Sequence, residues 1–218
     1  MPTILTVRCT LTEEALGMTP ANPEVTRDYI SSKAPDAKNT EEEVAAIGAE
    51  AFLDKQKTVF PRDAAGNPIW WDYQMRGAFK DWCGGLSRAD GTLSRGMPAY
   101  RKVIDTLIFV RPRAIVIHLP DGGKMGECQR PLRAMTMQGE RVSLALSETI
   151  PIGSWFEFEI HLIAETADGK KELQADGAKG KGKIKLLPVI TEWLDYGQYR
   201  GFGQWRNSGK GLFTYTLK

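Results

Sequence analysis

The segment Trp155–Leu162, WFEFEIHL, alternates without a break: Phe156, Phe158, Ile160 and Leu162 fall on one side, Trp155, Glu157, Glu159 and His161 on the other. Strand side chains point to opposite faces with a period of two, so this is a strand with one wholly apolar face. That face has to be covered by a second layer, which restricts the chain to folds in which a sheet packs on something else. Pro2–Leu11 repeats the pattern, setting Leu5, Val7, Cys9 and Leu11 against Ile4, Thr6, Arg8 and Thr10, and Leu212–Leu217 reads as a last strand.

Two segments have the period of a covering helix. Asp72 opens one, with Tyr73, Met75, Ala78, Phe79 and Trp82 as its stripe and Gly84-Gly85 as its end. Leu187–Tyr196 is the other, with Pro188 in its first turn. Pro98–Asp105 reads as a short helix. Thr40 and Glu43 form a capping box ahead of Val44, Ile47, Ala51 and Phe52. TLIFVRPRAIVIHL is a strand interrupted at Pro112, and RPLRAMTMQ pairs with RVSLALSETI around Gly139. The glycine- and lysine-rich Lys170–Lys185 tract is a loop or flexible hairpin. Without the insertions the order is strand, helix, strand, strand, helix, strand, which is the split βαβ or ferredoxin-like unit. The expectation is an α+β single domain, residues 1–218, with insertions at about 17–70 and 120–150. Its antiparallel core sheet should hold Leu5, Val7, Ile160 and Phe213, with both long helices on one face.

The formal charge is +2, with acidic residues gathered in TEEEVAAIGAE and basic ones in Lys170–Lys185 and near the end of the sequence. Cys9, Cys83 and Cys128 are scattered, and neither they nor His118 and His161 have metal-ligand spacing, so no bound metal and no cofactor are expected. His118 reads as a core histidine and His161 as a solvated one. There is no signal peptide and no apolar run of ~18 residues, so a cytoplasmic protein without a membrane span is expected.

YGQYRGFGQWRNSGKG, residues 196–211, holds five glycines, three basic residues and four aromatics. It is no P-loop: Gly203 and Gly209 are one residue too far apart, Lys210 is followed by Gly211 rather than Ser or Thr, and a strand follows where a helix is required. The dinucleotide fingerprint fails at Arg206, where its third glycine belongs. Its glycines suit close backbone approach to a ligand at Gly201 and Gly203. Arg200, Arg206 and Lys210 suit phosphates, and Tyr199, Phe202 and Trp205 offer faces for bases. Trp205 is the aromatic best suited to the core, and the arginines are expected to project from the loop. Arg76 and Lys80 share a helix face and complete the set. Arg111, Arg113, Arg130 and Arg133 would form a basic strip if their strands were neighbours.

Four segments, in order, resemble the RAMP superfamily, whose ferredoxin-like folds form RNA-holding and processing subunits of CRISPR effector complexes. TVRCTLTEEALGM resembles the first strand and turn. DAAGNPIWWDYQMRGAFKDWC resembles the segment leading into the first helix, with Met75 and Arg76-Gly77 at its hydrophobic and basic-glycine positions. ERVSLALSETIPIGSWFEFEIHL resembles the approach to the third core strand, and DYGQYRGFGQWRNSGKGLFTY the glycine-rich loop and final strand. The resemblance implies a non-catalytic protein that grips single-stranded RNA, or DNA, by its backbone, self-associating along the strand or sitting in a multi-subunit ribonucleoprotein. Two alternatives stand beside it. One is a protein-interaction module, such as a phage or mobile-element inhibitor of a CRISPR-type complex, using the acidic EEEVAAIGAE helix. The other is a metal-dependent endoribonuclease using Asp28 or Asp36.

Overall fold

A computed structural model of the chain describes residues 2–21, 57–136, 139–170 and 181–218. The expected Thr40 helix, Asp28, Asp36 and the middle of the Lys170–Lys185 tract lie outside these residues. Along the chain come β1 (Thr3–Leu11), β2 (Ala15–Leu16), β3 (Thr19–Pro20), β4 (Lys57–Val59), β5 (Ile69–Trp71), α1 (Asp72–Leu86), α2 (Tyr100–Leu107), β6 (Ile108–Arg111) and β7 (Ala114–His118). Then follow β8 (Gly126–Thr136), β9 (Gly139–Ile150), β10 (Trp155–Leu162), β11 (Thr166–Lys170), β12 (Lys181–Lys185), α3 (Leu186–Arg200) and β13 (Phe213–Leu217). The architecture is α+β.

The core sheet runs β13-β1-β10-β7-β5, with β6 also on β10, and every pair in it is antiparallel. Leu5 lies opposite Ile160, Val7 opposite Phe158, and Leu11 opposite Phe213. The strand that Pro112 interrupts is divided there into β6 and β7, which pair with opposite ends of β10. The apolar face of β10 is buried under α1 and α3, whose inward residues (Met75, Phe79 and Trp82; Val189, Ile190 and Trp193) join Phe156, Phe158 and Phe213 in one core cluster.

The helices begin where local chemistry allows. The Gln74 side chain accepts the Trp71 N–H at 2.8 Å at the start of α1, which runs past Gly84-Gly85 to Leu86, where the Ser87 N–H caps it on the Cys83 carbonyl. The short helix starts at Tyr100 rather than Pro98, because Ala99 is left-handed, with φ 51°. A 3₁₀ turn at Leu93–Gly96 is fastened to α3: Glu192 accepts from the Leu93 N–H (2.7 Å) and the Ser94 hydroxyl (2.6 Å), and the Ser94 oxygen accepts from Trp193 Nε1 (2.8 Å).

The insertions build a second sheet, β2-β9-β4-β3, with β8 on β9. In it Lys57–Thr58 pairs parallel with Leu146–Ser147, a register the hairpin pattern did not announce. The basic strip is corrected: β6 and β7, with Arg111 and Arg113, belong to the core sheet and β8, with Arg130 and Arg133, to the second. His118 is likewise not a core residue; it is exposed at the end of β7, and His161 is half-buried with Nε2 2.8 Å from Glu159 Oε2. No helix among the described residues is long and apolar enough to cross a membrane.

Burial separates the three thiols. It pushes Cys9 well above its ordinary value and Cys83 up to about 11, whereas Cys128 is only half-buried. A thiol of that value is ionised in about one molecule in a thousand at pH 8, and the thiolate is the nucleophile. Alkylation of the native protein at pH 8 is therefore expected at Cys128 alone, with Cys9 and Cys83 labelled only after denaturation. Peptide mapping that found Cys83 labelled in the native state would contradict this packing.

Candidate nucleic-acid interface

The glycine-rich loop closes the core sheet against the second sheet. The Gly211 N–H donates to the Glu14 carbonyl (2.7 Å) and the Phe202 N–H to the Gly211 carbonyl (2.9 Å), so the loop folds back on itself beside the end of β1. Two glycines make this crossing feasible. Gly201 and Gly211 have φ of 76° and 73°, and a Cβ on them would sit 2.7 Å from the Lys210 carbonyl oxygen and 2.0 Å from that of Phe202.

Phe202 is corrected from base platform to core. It is 1% exposed and packs against Phe213 (centroids 4.5 Å apart), Trp82 (5.1 Å) and Phe156 (5.4 Å). Trp205 is corrected in the opposite sense. Its left-handed φ of 55° turns it outward and leaves it 41% exposed. Tyr199 is the open aromatic, 83% exposed on the last turn of α3.

The arginines do not project freely. Asp81 Oδ2, on α1, accepts from Arg200 Nε at 3.0 Å and from Arg206 Nη1 at 2.7 Å, and Arg200 Nη1 also donates to Asn207 Oδ1 at 2.6 Å. The hydrogen bond it donates to Asp81 holds Arg200 above its ordinary pKa. Two guanidiniums on one carboxylate leave one positive charge there uncompensated. Lys210 is paired with Glu14 at 3.0 Å, and that hydrogen bond raises it as well. Arg76 lies 3.6 Å from Asp72, while Lys80 lies 2.5 Å from Asp105 of α2, so that pair does not converge on the loop.

Arg130 is the residue the loop does gather in. It is only 7% exposed, on β8, with its guanidinium 5.2 Å from the Trp205 ring centroid. Its Nη2 donates to Gln204 Oε1 at 2.8 Å, and Gln204 Nε2 donates to the Gly17 carbonyl at 2.7 Å. Its Nε and Nη1 are buried and have no hydrogen-bond partner among the described residues. Arg133 shares the strand, its backbone opposite Val142, and its side chain lies outside what is described.

A buried ion costs several kcal/mol. One hydrogen bond from a charged donor recovers roughly 1.5–3 kcal/mol and a desolvated cation–π contact about 2 kcal/mol. Among the described residues no ion pair to a carboxylate offsets the rest, so two of the Arg130 nitrogens stay unsatisfied there. Asp81, Glu14, Gln204 and Asn207 were not legible as partners, since Asp81 lies 119 and 125 residues from its two arginines and no local pattern reports such a pair. Among the described residues no three His, Cys, Asp or Glu side chains gather as a metal site. Neither protein-family models nor curated proteins include a match to this chain.

Proposed function

We propose that the chain binds single-stranded RNA by its backbone, on a ferredoxin-like core of the RAMP type, as a non-catalytic subunit of a ribonucleoprotein assembly. The strand order supports the fold: β13, β1, β10 and the β6–β7 pair stand side by side, and α1 and α3 connect strands that are not neighbours. The observation that carries the binding reading is Arg130, buried with two unpartnered nitrogens beneath the glycine loop. In this reading the loop over Arg130 lifts to admit a phosphate, whose oxygens supply the acceptors that the buried Nε and Nη1 lack. Bases stay outside this contact, so it carries affinity without sequence preference.

Arg130→Met tests the reading, because methionine keeps much of the volume and removes the charge. Binding to homopolymer RNA and DNA would be followed over a salt series. Affinity is expected to fall by roughly 10- to 150-fold, the value of a charge-assisted hydrogen bond, for every sequence alike. The slope of log affinity against log salt should shrink by about 0.7 for the phosphate lost from a single strand. The free variant should melt no lower than wild type, because an uncompensated buried charge has gone. Unchanged affinity at every salt concentration would reject the site.

A further inference from the structure

The other feature that no structural role absorbs lies on the face of the core sheet away from α1 and α3. Trp155 begins β10, and the strands on either side of it are β1 and β7. From β1, Arg8 lays its guanidinium 3.8 Å from the Trp155 ring centroid. From β7, His118 stacks on the indole with centroids 4.0 Å apart and planes 17° from parallel. Three flat groups thus form one stack, guanidinium, indole, imidazole, standing on the solvent side of the sheet. His118 is its exposed end, with one ring face on the indole.

The charges on this face differ from those of the loop. Arg200, Arg206, Lys210, Arg76 and Lys80 are each held by a carboxylate, but Arg8 and the exposed Arg111 have no ion pair among the described residues. Glu157, opposite Arg8, is paired instead with Lys218 at 3.3 Å. The stack also lies at the loop's end of the sheet. Thr214, Thr10, Trp155 and His118 form one row across four strands. Just beyond that row the Leu212 carbonyl accepts from the Thr12 N–H, and Gly211 meets Glu14.

We propose that the solvent face of the core sheet is a nucleobase site, in which a base of the bound single strand stacks on His118 and continues the Arg8–Trp155–His118 stack while Arg8 faces the phosphate beside it and Arg111, toward the other end of β10, one farther along the strand. This rests on the RNA-binding reading of the glycine loop and gives that reading a second point of contact, one that senses bases. A ring already held parallel to an indole by stacking has little freedom left to lose when a base joins it, which is the condition for a productive platform. The site reads planarity, so it tolerates all four bases.

The test separates base from backbone. Wild type, His118→Ala and Arg130→Met would be titrated with a 12-nucleotide oligo(U) and with an abasic ribose-phosphate strand of the same length, thermal melting confirming that each variant is folded. His118→Ala is expected to weaken oligo(U) binding by roughly 5- to 150-fold, the value of one base–aromatic stack, and to leave the abasic strand unaffected. Arg130→Met should weaken both. Trp155→Leu, which removes the middle layer, should reproduce the His118→Ala pattern. If His118→Ala and Trp155→Leu match wild type on oligo(U) while Arg130→Met does not, the base site is wrong and the phosphate loop stands. If wild type binds neither strand, both readings fall.

Discussion

Phe202→Ala is expected to destabilise the protein by about 3–5 kcal/mol, the cost of emptying a buried aromatic position. Phe202 touches Phe213, Trp82 and Phe156 at once, so its loss opens the core where the loop, α1 and two strands meet. Tyr199→Ala, three residues earlier in the same motif, should stay within about 0.5 kcal/mol, because that ring is 83% exposed. Denaturant midpoints for the two variants measure the contrast. Equal midpoints would mean that Phe202 is not packed as described.

Gly211→Ala should cost more than the left-handed backbone alone explains. Residues other than glycine pay about 1–2 kcal/mol at such a φ. At Gly209, with φ 77° and nothing within 4 Å of an added Cβ, that is the whole expected penalty for Gly209→Ala. At Gly211 the Cβ would fall 2.0 Å from the Phe202 carbonyl oxygen, inside any contact distance, so the hydrogen bond between the two residues has to break and the loop to open. A loss above about 3 kcal/mol is expected. The measurement is the difference in unfolding free energy between the two alanine variants, and an equal cost at both glycines would overturn the crossing.

What the residues announced was mostly periodic. β1, β10 and β13 were legible from alternation, and α1 and α3 from their apolar stripes, because both patterns repeat within a short window. The second sheet was harder. The β8–β9 hairpin shows around Gly139, but β4 reaches β9 in parallel register from nearly ninety residues away, as the hydroxyls of Thr58 and Ser147 at 2.8 Å record. The candidate site divides in the same manner. Basic residues, glycines and aromatics mark the loop as unusual. Which arginines pair with Asp81, and which one is buried with two nitrogens unpartnered among the described residues, is decided by tertiary contacts. Phe202 and Trp205 exchanged their expected places for a local reason: the left-handed backbone at Trp205 points its side chain outward, and composition does not encode that.

β1 occupies an interior position in its sheet, yet both strands that flank it, β10 and β13, are made long after it. During synthesis β1 therefore emerges with its alternate apolar side chains and both backbone edges unpaired, and it keeps one bare edge until residues 213–217 have been added. An unpaired apolar strand is a template for other chains. The pairings that satisfy it span most of the sequence, which places this domain among the slow folders for its size. Its yield in a cell should depend on whatever shields that first strand while the rest of the chain is being made.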